Sequence, residues 1–242
     1  MTNTQSFAWD ELFQDRTLGS DSAHVFLVTA QALAARSSLV VEVGCGRGAQ
    51  VHLERTGGAW QDLRGTGRAV VGIDIDPAAS SNPAVDEFRL IGPDGRWPLE
   101  DSTVDLAVSD FVLEHVADPT AFVGQLSRVL RPGGVFLART INRYSALSLG
   151  ARLVPDRLHE KIISVLQPDR LDEDVFPTAY KMNTRRALGD LLEEDFEWAT
   201  ASRTGLEQYL LRWPALARTV DSVERRLPRS LQMALVVCAR RR

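Results

Sequence analysis

The sequence predicts a three-layer α/β fold in which helices cover both faces of a parallel, seven-stranded sheet. Two observations carry this. Short β-branched apolar runs recur along the chain and alternate with helical or turn-rich segments, the pattern that right-handed crossovers between parallel strands require. The first of these runs, Leu39 to Val43, leads straight into Gly44-Cys45-Gly46-Arg47-Gly48, with the acid Glu42 near the strand end. Glycines at alternate positions let a backbone turn sharply and approach a ligand with no Cβ in the way. The chain has 242 residues, enough for one α/β core and short for two, so one domain over 1–242 is expected.

The elements follow in order. Residues 1–37 form an N-terminal helical segment in which Asp21 to Ala35 places Val25, Val28 and Leu33 broadly on one side, to pack on the sheet. The core, residues 38–140, holds strands over Leu39 to Val43, Ala69 to Ile73, Glu87 to Ile91, Asp105 to Ser109 and Val135 to Thr140. Asp76-Pro77 after the second strand reads as a helix start, with Asp76 as N-cap. Phe196 to Arg203 and Leu231 to Ala239 complete the seven strands. Residues 141–183, with Pro155, Pro168 and Pro177, and residues 204–229, broken at Pro214 and Pro228, exceed what a sheet needs. Both insertions would emerge at the carboxyl edge of the strands, where open α/β sheets bind ligands, and so form a cap; covering a sheet edge or forming a dimer contact is the plainer use.

Composition narrows the function. A net charge of −4 gives no broad basic surface for nucleic acid, and no apolar run is long enough to span a membrane. The N-terminus carries Asp10, Glu11 and Asp15 and lacks the apolar stretch of a signal peptide, which predicts a cytoplasmic chain. The two cysteines, Cys45 and Cys238, have no Cys or His at metal-ligand spacing and read as free thiols. No metal site is expected.

Four motifs in order, between Leu39 and Ala138, closely resemble those of class I S-adenosylmethionine-dependent methyltransferases, in particular the large bacterial, type 11-like group that acts on small molecules and glycans. They are Val40-Val41-Glu42-Val43-Gly44-Cys45-Gly46-Arg47-Gly48; Val71-Gly72-Ile73-Asp74; Leu113-Glu114-His115-Val116 after the strand ending Ser109-Asp110-Phe111; and Leu130-Arg131-Pro132-Gly133-Gly134 before the fifth strand. Phe176 to Thr184 resembles a segment of some members. The resemblance implies a Rossmann-like sheet whose last strand is antiparallel, and S-adenosyl-L-methionine as cofactor, leaving as S-adenosyl-L-homocysteine. It also implies a cradle of Glu42, Gly44, Cys45, Gly46 and Gly48, ribose recognition by Asp74 beside Ile75, backbone carbonyls of Ser109 and Asp110 toward the ammonium, and Phe111 as an apolar wall. Asp94, followed by Gly95, matches the family's adenine-contacting acid, although its interval to Pro98 is one residue shorter than usual. Some quinone-biosynthesis relatives carry a Glu-x-x-Glu-His metal set; here Phe111 stands at the first Glu, which argues against a metal.

Methyl transfer from a sulfonium is an in-line displacement, so alignment supplies much of the acceleration and a base serves only an acceptor that must lose a proton. His115, expected to open a helix after the fourth strand, is the first candidate, and a helix-start or cofactor-pocket histidine is its bland counterpart. Tyr180 is the second. Asn142, Arg143, Tyr144, Tyr180 and Asn183 are expected to form a polar pocket for a small-molecule acceptor, with capping of the following helix the competing use of Asn183-Thr184. The rivals are a nicotinamide-dependent oxidoreductase, which wants Gly-x-Gly-x-x-Gly and a Tyr-x-x-x-Lys set that adjacent Tyr180-Lys181 do not supply, and a catalytically silent cofactor-binding protein. Oligomeric state is not legible in the sequence.

Overall fold

The computed structural model describes residues 21–48, 62–151, 177–206, 210 and 213–242. Seven strands form one sheet: β1 (Leu39–Val43), β2 (Ala69–Asp74), β3 (Glu87–Leu90), β4 (Val104–Asp110), β5 (Leu130–Ile141), β6 (Phe196–Arg203) and β7 (Ala234–Arg241), in the order β3-β2-β1-β4-β5-β7-β6. Pairs from β3 to β5 are parallel, and β7 runs antiparallel to both β5 and β6. The strand order reverses between β1 and β4, so their carboxyl ends diverge and leave a crevice.

Alternate side chains along each strand feed two cores. One face carries Val41, Val43, Ala107, Phe136 and Ala138 against α2 (Pro119–Val129) and α4 (Arg185–Leu192); the other carries Val40, Leu106, Val108 and Leu137 against α1 (Ser22–Ala34). In α1 the buried stripe is Val25, Phe26, Thr29, Ala30 and Ala34, the 3.6-residue repeat of a helix lying on a sheet, while Val28 and Leu33 stay partly exposed. Two further helices, α3 (Ala146–Ala151) and α5 (Pro214–Glu224), lie in the stretches read from sequence as insertions. No helix among the described residues is long and apolar enough to cross a membrane.

Several boundaries differ from the sequence expectation, most by one residue; β7 starts at Ala234 because Arg229–Leu231 forms a 3-10 turn. β5 begins at Leu130, because Leu130 pairs with Val104 before the Pro-Gly-Gly segment bulges out and pairing resumes at Leu106 with Val135. β7 ends at Arg241, its charged end carried by an ion pair of Arg240 with Glu197 and by a hydrogen bond of Arg241 to the Leu130 carbonyl. The segment after β4 forms turns, and α2 starts only at Pro119, where the Asp118 carboxylate accepts the Ala121 N–H at 3.0 Å. His115 therefore sits on a turn and does not open a helix. The middle of the first insertion, 152–176, and most of 207–212 lie outside the described residues.

Candidate cofactor and acceptor site

The glycine turn leaves β1 at the crevice. The Gly44 and Cys45 N–H groups both donate to the Ile73 carbonyl, at 2.8 and 3.3 Å, and so fasten the turn to the end of β2. Gly44 and Gly46 have φ of +69° and +52°, a region that L side chains enter at a cost of about 1–2 kcal/mol. Their surroundings differ. A Cβ on Gly44 would lie 2.5 Å from a methyl of Val112, whereas one on Gly46 would meet no heavy atom within 4 Å, so Gly46 borders open space.

Asp74 ties the turn to the next element. Its buried carboxylate accepts the Gly46 N–H and the Asp76 N–H, each at 2.9 Å and each on a different oxygen. Asp76 in turn accepts the Ala78 N–H at 2.9 Å and caps the short 3-10 helix Pro77–Ser81. Beside Asp74, Ile75 is 64% exposed, an apolar side chain turned to solvent at a strand end. The carboxylates around this turn act on one another. Burial, and then the charges of Asp62 and Asp110, push the Glu42 carboxyl up to about 8. Burial, with Asp74 and Glu42 next, pushes the Cys45 thiol up to about 12, which removes it as a nucleophile at neutral pH.

At the end of β4 the Ser109 hydroxyl is buried with no hydrogen-bond partner among the described residues. Asp110 forms a two-point ion pair with Arg139 of β5, Nε and Nη2 each donating at 2.7 Å. The Arg139 guanidinium is 3% exposed and lies over the rings of Phe111 at 4.5 Å and Phe26 at 5.5 Å. Desolvation makes such a pair and its cation–π contacts worth more than a surface contact. Phe111 holds φ at +55°, with its N–H on the Arg139 carbonyl at 2.8 Å. A bulky residue there is strained, and such strain gathers at functional sites. Sequence reasoning missed Arg139; its signal was a single cation inside the apolar run Val135 to Ile141.

The turn after β4 meets the segment 177–183. Its Glu114 carbonyl accepts the N–H groups of Ala179 and Tyr180 at 2.7 and 3.0 Å. His115 Nδ1 lies 3.1 Å from the Pro177 carbonyl oxygen, and Lys181 Nζ donates to the Ala117 carbonyl at 2.7 Å. Arg143 is drawn in too, its N–H on the Asn183 carbonyl at 2.9 Å. The structure thus brings His115, Tyr180, Asn183 and Arg143 together. Asn142 faces elsewhere: its Nδ2 donates to the carbonyls of Ser230 and Gln232 and its Oδ1 accepts the Tyr144 N–H, which joins β5 to the start of β7. Tyr144 is 54% exposed. Thr184, not Asn183, caps α4, accepting the Ala187 N–H at 3.1 Å. Asp94 and Gly95 lie on an exposed loop, where Asp94 accepts the Arg96 N–H and lines an open cavity of about 340 Å³ with Leu90, Gly92 and Trp97. Among the described residues no group of three or more His, Cys, Asp or Glu side chains is placed to hold a metal ion.

Residues 41–138 match the family model described as a methyltransferase domain. A probable S-adenosylmethionine-dependent methyltransferase of Mycolicibacterium smegmatis is 38% identical over 109 residues, 43% of this chain and 38% of that protein. The ubiquinone biosynthesis O-methyltransferase of Rhizobium johnstonii is 28% identical over 156 residues, 60% of this chain and 61% of its own. The chain spans about two-fifths of the length of the first curated relatives it matches. Among solved structures, the geranyl diphosphate C-methyltransferase of Streptomyces coelicolor A3(2), in complex with Mg2+, geranyl-S-thiolodiphosphate and S-adenosyl-L-homocysteine, shares the fold with a TM-score of 0.54 at 17% identity, over 89% of this chain and 76% of that one. The glycine turn, the acid ending β2 and the antiparallel seventh strand thus accompany a segment, residues 41–138, that is similar to a methyltransferase domain, on a sheet that shares the fold of a solved methyltransferase.

Proposed function

We propose that this protein transfers the methyl group of S-adenosylmethionine to a small-molecule acceptor, at an oxygen of a natural-product or sugar intermediate. The observation that carries the reading is the glycine turn ringed by carboxylates: Asp74 bonded to Gly46, and Glu42 within reach of the charges of Asp62 and Asp110. A ligand bearing an ammonium and a sulfonium is favoured there, and a dinucleotide pyrophosphate is repelled. The cofactor supplies a methyl group already activated on a positive sulfur. The chain's residues do the rest. Asp74 is held rigid by two N–H donors yet keeps a lone pair on each oxygen for ribose hydroxyls. Ile75 offers an apolar face for the adenine, Phe111 serves as the apolar wall of the scheme, and Gly46 borders open space.

His115 is the base of this scheme. A carbonyl oxygen only accepts, so the contact with Pro177 puts the proton on Nδ1 and makes Nε2 the lone-pair nitrogen. An acceptor hydroxyl that loses its proton to Nε2 gains nucleophilicity as it approaches the methyl carbon. Tyr180, Arg143 and the exposed Tyr144 belong to the acceptor side, whereas the side chains of Asn142 and Asn183 are buried and spent on partners within the fold. The O-methyltransferase among the relatives supports oxygen as the acceptor atom. Incubation with labelled S-adenosylmethionine and a metabolite extract, followed by mass spectrometry, tests the reading: a labelled small molecule is expected. Cofactor binding with no labelled product would favour the catalytically silent rival.

A further inference from the structure

Glu114 neighbours His115 and its side chain is only 2% exposed, yet its carboxylate takes no direct part in the scheme above. Its Oε2 accepts the Thr140 hydroxyl at 2.8 Å, and Thr140 Oγ1 accepts Asn183 Nδ2 at 2.7 Å. The second Nδ2 proton goes to the Ile141 carbonyl at 2.9 Å. The direction of this chain is forced. An amide nitrogen only donates, so the single threonine proton must point at Glu114, and Glu114 must present a lone pair. All three residues are buried, so no water stands ready to replace a lost partner. The chain connects β5 to one end of the segment 177–183, while the Glu114 carbonyl grips its middle at Ala179 and Tyr180, where Tyr180 is held at φ +50°. The other end of that segment is the Pro177 carbonyl that meets His115 Nδ1.

From this geometry we infer that Glu114, Thr140 and Asn183 are positioning residues: their hydrogen-bonded chain holds the segment 177–183 so that the Pro177 carbonyl keeps the proton of His115 on Nδ1. The catalytic part of this inference rests on the methyltransferase reading, but the state of the imidazole does not. Burial pushes the Glu114 carboxyl up to about 7, its own N–H and the Thr140 hydroxyl pull it down, and Asp110 and Arg139 act on it from the ends of β4 and β5 in opposite senses. Either protonation state keeps a lone pair for Thr140.

Thr140→Val is the decisive change, because it keeps the shape and removes the hydroxyl. The 15N shifts of the ring nitrogens in the cofactor-free protein, with His115→Gln to assign the signal among the four histidines, report the tautomer without any acceptor. Wild type and Thr140→Ser should show the proton on Nδ1, and Thr140→Val should move half or more of the population to Nε2–H. Once an acceptor is known, kcat at saturating acceptor should fall about tenfold or more in Thr140→Val, and S-adenosylmethionine affinity should stay within about twofold. Asn183→Leu removes the donor at the opposite end and gives the second measurement should Thr140→Val not fold. An unchanged tautomer in the folded variant, or a Thr140→Ser protein that behaves like Thr140→Val, overturns the inference. Failure to find a labelled product would overturn the methyltransferase reading and leave the tautomer result standing.

Discussion

Glu42→Gln separates the electrostatics of the cradle from its shape. The raised carboxyl means that the folded protein holds the Glu42 proton more tightly than the unfolded chain. The stability this contributes is fully present below the ordinary value of 4.5 and is lost as pH rises toward about 8. At about 1.4 kcal/mol per pKa unit that interval caps the loss at about 5 kcal/mol, and relaxation around a side chain of intermediate exposure brings the expected loss to about 1–3 kcal/mol. Glutamine copies the protonated acid at every pH. The variant should therefore melt with wild type at pH 5 and several degrees above it at pH 9, since about 1 kcal/mol moves a chain of this size by about 2–4 °C.

Cofactor binding should respond in the opposite sense. A cation beside Glu42 favours the ionised carboxylate, so wild-type affinity should rise between pH 6 and 7.5, by up to about tenfold per unit, and the variant should stay flat and bind more weakly. Titration calorimetry in two buffers of different ionisation heat should find close to one proton released per ligand by wild type near pH 7 and close to none by Glu42→Gln. The window stops short of pH 8 because the ligand's own amino group then begins to lose its proton in both proteins. Parallel wild-type and variant curves, in melting and in binding, would refute the assignment of the raised carboxyl to Glu42 and its role toward a cation.

Two glycine substitutions should part company: Gly46→Ala should cost about 1–2 kcal/mol of stability from its positive φ but abolish cofactor binding, while Gly44→Ala, driven into Val112, should cost about 2–4 kcal/mol, both read by denaturant titration and calorimetry. Asp74→Ala loses charge-assisted bonds to ribose and to Gly46, so S-adenosylmethionine affinity should drop by about 1–3 kcal/mol; an unaltered Kd would show that the ribose lies elsewhere. Turnover should survive EDTA, since Phe111 stands where a ligand would be; loss with EDTA and recovery with magnesium or zinc would make Asp110, Glu114 and His115 the ligands to test. His115→Ala should depress kcat at saturating acceptor by about 100-fold while leaving cofactor Kd in place; a weakened Kd instead would make the ring a cofactor wall.

Much of the fold was legible because it rests on local rules. β1 and β6 were read to the residue: β1 is a short run rich in valine that ends at the glycine turn, and β6 begins on the aromatic pair Phe196 and Trp198. The glycine turn was legible because positive φ at three neighbouring positions narrows the residue choice almost to glycine. The Asp76-Pro77 start is likewise a contact within two residues. Strand ends were less legible where a distant partner decided them, as when Glu197 carries the charge of Arg240 and extends β7 beyond Ala239.

What the tertiary structure alone decided is how the polar groups of the site are shared out. Asp110 meets Arg139 across 29 residues, Thr140 meets Glu114 across 26, and Asn183 meets Thr140 across 43. Nothing in the local sequence distinguishes an Asn142 spent on two backbone carbonyls from an Asn183 spent on a threonine. The physical reason is that a buried polar atom must be paired, and its partner is set by which strand ends and which crossing segments the packed sheet brings within about 3 Å. Local pattern thus determined the sheet and its glycine turn, whereas the carbonyl that meets His115 Nδ1 lies 62 residues away and only the folded chain supplies it.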